Sequence, residues 1–192
     1  MKRIIGLLLC FLLLAGCTND DGLDRAMKAR SKFQSAAFHF RATVSADYGE
    51  MIHTFVMDCE ADNRGDVKFA IVAPDTISGI RGILKSGSGF LTFDNEVLAF
   101  EQLADGQLSP VSAPWVLVNT LRGGYLRYAA ETDQGLRLTI HDSFREEPMQ
   151  VDIWLEAGIP TGAEILWQGR RILTIKVENF AFLEQDGDSG IG

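Results

Sequence analysis

Histidine and cysteine are scarce: the 192 residues hold three of each. His39, His53 and His141 have no spacing that suits a metal ion, so no metal ligand and no cofactor are expected. Cys10, Cys17 and Cys59 are too few for a disulfide framework. Basic residues are outnumbered 18 to 26 by acidic ones, and nucleic-acid binding needs basic clusters. Catalytic signatures are missing as well. No Gly-x-Ser-x-Gly, Ser-x-x-Lys, phosphate loop or dinucleotide fingerprint occurs. Glu146-Glu147 runs into Pro148 and reads as an exposed turn, not as an acid/base pair. Asp186-Gly187-Asp188-Ser189-Gly190 starts as a calcium loop does, yet lacks the sixth-position Gly and the late Glu. The expectation is a protein that is not an enzyme.

Long apolar runs are also lacking, with one informative exception. Residues 4–14 are apolar apart from Gly6 and follow Lys2 and Arg3. That run is too short to span a bilayer, which takes about 20 residues, and suits the core of a signal peptide. Leu14-Ala15-Gly16-Cys17 follows and resembles the lipobox of bacterial lipoproteins. By that resemblance the chain is cut before Cys17, and the Cys17 thiol takes a diacylglyceryl group. Cys10 suits this less well, because Leu9 precedes it. Two or three acyl chains hold a protein to a membrane almost irreversibly, whereas one holds it marginally. The expected location is the cell membrane or an outer membrane, facing the periplasm or the exterior.

Once Lys2 and Arg3 leave with the signal, 16 basic groups face 26 acidic ones, a net charge of −10. Such a surface has no electrostatic attraction to anionic headgroups, so the acyl chains must supply the anchoring. Cys59 then remains alone. It reads as a buried apolar thiol, with an intermolecular disulfide as the alternative.

The expected organisation is a signal peptide over residues 1–16, a tether over 17–23, one domain over 24–183 and a frayed acidic, Gly-rich tail over 184–192. Asp24 can cap a helix through residue 34, with a narrow apolar stripe of Ala26, Met27, Ala29, Arg30 and Phe33. From Ala37 the period changes to two. Phe38, Phe40, Ala42 and Val44 alternate with His39, Arg41, Thr43 and Ser45. With a two-residue turn at Tyr48-Gly49, partner numbers sum to 97. Phe38 then faces Cys59, Phe40 faces Met57, Ala42 faces Phe55 and Ala46 faces Met51, all on one face with Val44 and His53, while His39 meets Asp58 on the other. Strands follow near residues 66–72, 79–86, 90–93, 97–102, 125–131, 136–141, 150–156, 163–167 and 171–182. Ser112, Pro114 and the spacing of Trp115, Val118 and Leu121 predict a second helix, ended by Gly123-Gly124. The fold class is therefore α+β, mainly β: a long antiparallel meander that curls into a half-barrel, with an N-terminal and an inserted helix covering its concave face.

A lipobox, a short first helix, a long meander and a helix inserted midway together resemble the periplasmic lipoprotein carrier superfamily of Lol-type carriers, receptors and lipidated relatives. The stretch 69–80, with its Pro74-Asp75 turn and Ile77-Ser78-Gly79-Ile80, shares that character. The resemblance covers most of residues 24–183. It implies a curved half-barrel whose apolar cavity receives acyl chains. Other relatives in the superfamily are partner-binding lipoproteins, which leaves that use open.

Two readings of the aromatic residues follow. They are core, or part of their surface accepts an apolar ligand. The ligand-binding candidates are Phe38, Phe40, Phe55, Met57, Phe69 and Trp115, and the ligand is a lipid or the acyl chain of a lipoprotein. Trp154 is out of phase with Val151, Ile153 and Leu155, and so is either an exposed anchor or covered by a helix. The alternative function is an adaptor docking on an envelope or cell-wall enzyme.

Overall fold

The computed structural model describes residues 20–84, 91–93 and 108–183. The proposed signal, the Cys17 lipidation site, the strand near 97–102, the calcium-loop resemblance and the tail lie outside these residues. Helix α1 spans Asp20–Ser35, and strands β1 to β5 span Phe38–Asp47, Ile52–Ala61, Val67–Ala73, Arg81–Leu84 and Leu91–Phe93. A 3-10 turn, Pro110–Ser112, leads into helix α2, Ala113–Gly123. Strands β6 to β10 follow at Tyr125–Thr132, Gly135–His141, Gln150–Glu156, Ile159–Trp167 and Arg170–Phe182.

The ten strands of the described residues form one antiparallel, curved sheet in the order β5-β4-β3-β2-β1-β10-β9-β8-β7-β6. The expected single meander is thus two meanders, joined where the first strand pairs with the last. Leu183 N–H closes that seam on the Ala37 carbonyl at 2.8 Å. The inserted segment that carries α2 links one edge of the sheet to the other.

Helix α1 begins before Asp24, which lies inside it and does not cap it. Ser112 does not cap α2 either: its hydroxyl donates to the Ser109 carbonyl at 2.5 Å. Pro114 does sit in the first turn of α2.

The first hairpin departs from expectation by two residues. Partner numbers sum to 99, so Phe40 faces Cys59, Ala42 faces Met57 and Val44 faces Phe55. The turn is four residues long, with Tyr48 N–H on the Met51 carbonyl and Gly49 N–H on the Asp47 side chain. A shift of two preserves which face each side chain occupies. The apolar set therefore stays inside, except that Met51 and His53 are exposed near the turn. His39 meets Glu60 instead of Asp58, and Arg41 meets Asp58. Ala157-Gly158 and Gln168-Gly169 form two-residue turns with positive φ at both positions, the geometry that matches strand twist.

The core is one contiguous cluster between the inner sheet face and the two helices. From α1, Ala26, Ala29 and Phe33 are buried; from α2, Val116, Leu117, Val118 and Leu121.

Candidate binding site

Alternation along β1, β2 and β3 brings Phe38, Phe40, Phe55, Met57 and Phe69 onto one inner floor. All five are buried there, none more than 3% exposed. Phe33 of α1 closes on this floor, its ring 5.6 Å from Phe38 and 5.5 Å from Phe182. The sixth candidate stands apart. Trp115 lines a smaller cleft of about 210 Å³ with Asn119, Gly124, Asp142 and Met149, between α2 and the loop after β7. There the Trp115 Nε1–H and the Asn119 amide nitrogen are buried without a hydrogen-bond partner among the described residues.

The two helices are tied over the floor by a reciprocal exchange of arginines. Arg30 of α1 donates to carbonyls at the end of α2: Leu121 at 2.8 Å, Gly124 at 2.7 Å and Thr120 at 3.4 Å. Arg122 of α2 donates back to the end of α1, to Phe33 and Ala36, both at 2.7 Å. Each guanidinium thus satisfies carbonyls that a helix C-terminus leaves unpaired and meets the negative end of that helix. Arg122 also lies 5.3 Å above the Phe38 ring. Among the described residues neither arginine forms an ion pair with a carboxylate. Burial pulls both guanidinium pKa values down, opposed at Arg122 by Asp62.

Cys59 sits on the same floor, opposite Phe40 and Phe69. Burial pushes its thiol pKa well up, and the Asp58 charge adds to this. These conditions keep a thiol unreactive, in keeping with the buried reading.

The outer face holds an open groove of about 430 Å³ over β10, β1, β2, β3 and β4. Charged side chains rim it, while Phe40, Cys59, Phe69 and Ala70 also contribute to its lining. Arg41 clasps Asp58 with two bonds of 2.7 and 3.0 Å. That bond is the main cause of a lowered Asp58 pKa, with desolvation opposing. Lys68 lies 3.5 Å from Glu60, while Arg81 has no ion pair among the described residues. His39 completes one side. Asn179 lines the end beside β1, at a bulge between β1 and β10, with φ +52°. Non-glycine residues in this region are uncommon, and asparagine tolerates it best.

Farther along the outer face Asp152 is buried beneath Arg137, Thr139 and Gln150, each of which donates to it. Trp154 is half-buried on this face, 5.7 Å from the Arg137 guanidinium, so it is neither covered by a helix nor fully exposed. The histidines stay on separate strands, and no cluster of three metal-ligating side chains occurs among the described residues.

No family model matches the chain, and no curated protein matches it in sequence. Solved structures with a similar course include a LolA superfamily protein from Nitrosomonas europaea. It is 10% identical over 85% of this chain and 94% of that one, with a TM-score of 0.45. An uncharacterized conserved protein from Thermus thermophilus is 12% identical over 85% and 88%, with a TM-score of 0.44. A chain of the MucA/MucB complex of Pseudomonas aeruginosa is 15% identical over 88% of this chain but 58% of its own length, with a TM-score of 0.39. These are likenesses of fold, and no residue role follows from them.

Proposed function

We propose that this is a lipid-anchored, non-catalytic envelope protein that docks on another envelope protein through the outer face of its sheet. The observation that carries the reading is the division between the two faces. Among the described residues the inner floor is filled by the protein's own helices, while the open groove lies outside, between His39 and Arg81. A groove with paired and unpaired charges suits an extended polar segment better than an acyl chain. Anchoring through Cys17 follows from the lipobox and keeps the domain at the membrane where such a partner resides.

A photo-reactive residue at Lys68, introduced in living cells, tests this. One discrete cross-linked protein, lost in an Arg81→Glu background, is the expected result. No cross-link at Lys68 or at a second probe at His39 would remove the docking role. Metabolic labelling with an alkynyl fatty acid, lost in Cys17→Ser, tests the anchor separately.

A second reading places an apolar ligand between the helices and the floor of Phe38, Phe40, Phe55, Met57 and Phe69. It is favoured by the continuity of that floor across three strands. It requires the paired arginines to release the helices. Lipid bound stoichiometrically to the purified protein, detected by native mass spectrometry and reduced by Phe40→Asp, would establish it.

A further inference from the structure

The exposed apolar residues are not scattered evenly, and one group gathers along edge strand β6, whose later half meets the start of α1. Edge strand β6 carries Tyr125 and Tyr128, the latter 59% exposed. Phe144, in the loop after β7, is 78% exposed and lies with its ring 3.5 Å from that of Tyr125. No other large apolar side chain among the described residues is as exposed as Phe144. Leu23 and Met27, one turn apart on α1, are both about half exposed. Arg127, between the tyrosines, is exposed and forms no ion pair among the described residues.

The first turn of α1 rests on the same strand. A Cβ at Gly22 would stand 3.1 Å from the Ala129 carbonyl oxygen, and Arg25 pairs with Glu131. Cys17 is five residues before Gly22, a span of at most about 18 Å of extended chain. Acyl chains on Cys17 therefore hold β6 close to the bilayer. Tyrosines and arginine flanking an exposed phenylalanine are the composition favoured at a membrane–water interface, with rings in the headgroup layer and the guanidinium reaching out of it. The net charge of the mature chain gives no general attraction to a membrane, so contact must come from such a local set.

We infer that the β6 edge, through Tyr125, Tyr128 and Phe144, lies in the headgroup layer and fixes the orientation of the anchored domain. This rests on the anchoring of Cys17 proposed above. The outer groove around Arg41 and Arg81, on the opposite half of the sheet, is then turned away from the bilayer and left free for a partner.

The lipidated protein, reconstituted in vesicles of phosphatidylcholine with one-fifth phosphatidylglycerol, tests the orientation. Tyr128→Cys, Phe144→Cys and, as a control, Ile52→Cys each receive an environment-sensitive nitrobenzoxadiazole dye. Buried Cys59 and acylated Cys17 leave the new thiol as the site of labelling. The expected result is blue-shifted emission and slowed dithionite quenching at positions 128 and 144, but not at 52. A protein that fails to float with vesicles defeats the anchor, and the orientation with it. A protein that floats with all three dyes quenched equally overturns the orientation alone. Shielding of positions 128 and 144 in native membranes but not in vesicles also overturns it, because a protein partner would then cover the edge.

Discussion

The exchange of arginines between the helix ends permits a quantitative test. Replacing Arg30 by Met keeps the apolar stem and removes the guanidinium. Three carbonyls lose a donor, but Thr120 keeps its bond from Gly124 N–H at 3.0 Å, so Leu121 and Gly124 are the ones at stake. A buried polar group left unpaired costs about 1–3 kcal/mol. Loss of a cation from a partly buried helix C-terminus costs up to about 2 kcal/mol more. Relief of the buried charge's desolvation offsets part of this, leaving a net loss of roughly 2–4 kcal/mol. With a urea m-value of about 2 kcal/mol/M for a domain of this size, the unfolding midpoint drops by about 1–2 M. Tryptophan fluorescence of Cys17→Ser protein in urea is a suitable readout. Arg30→Lys keeps the charge but not the planar fork, and recovers less than half of the loss. Arg122→Met has a similar effect, and the double variant loses less than the sum, because both residues hold the same two helix ends. An Arg30→Met midpoint within about 0.3 M of the parent would refute the reasoning, since it would mean that water satisfies those carbonyls equally well.

Three further outcomes are expected. Gly135 has φ +101° and its added Cβ would run into the Leu155 carbonyl oxygen, whereas Gly158, φ +80°, has open space. Thermal unfolding will show Gly135→Ala destabilised by more than about 2 kcal/mol and Gly158→Ala by about 1 kcal/mol, the cost of the backbone conformation alone. Cys59 will resist maleimide in the folded protein and react at the ordinary rate once urea unfolds it, as mass spectrometry can follow. The lowered Asp58 pKa means that its bond with Arg41 stabilises fully above the unfolded carboxyl value near ~4 and is lost as pH falls through the folded value. Both side chains are nearly half exposed, so acid titrations of Asp58→Asn and parent will differ by less than about 1 kcal/mol, a difference that shrinks through that window and vanishes below it.

What the sequence revealed follows from what is local. Alternation from Phe38 to Cys59 assigned every core side chain of the first hairpin to the correct face. The register was off by two, because the Asp47 side chain supports a longer turn than Tyr48-Gly49 alone suggests, and faces survive an even shift. Pairing of β1 with β10 was not legible, since neither strand carries a mark of its distant partner. For the same reason the outer groove was missed. His39, Arg41, Lys68 and Arg81 each read as an ordinary solvated position on its own strand, and only the order of five strands places them side by side. Trp115 fell on the correct helix, but its neighbours depend on where the loop after β7 returns, which periodicity cannot show.

The seam between the first and last strands sets the order in which the chain can mature. A polypeptide made from its N-terminus delivers β1 early, yet the strand that covers its free side emerges last. Until then β1 to β5 stand as a half-finished sheet with a bare edge at what will become its centre, open to wrong pairing. Closure waits for residues 170–182, so truncation there costs the middle of the sheet and not its margin.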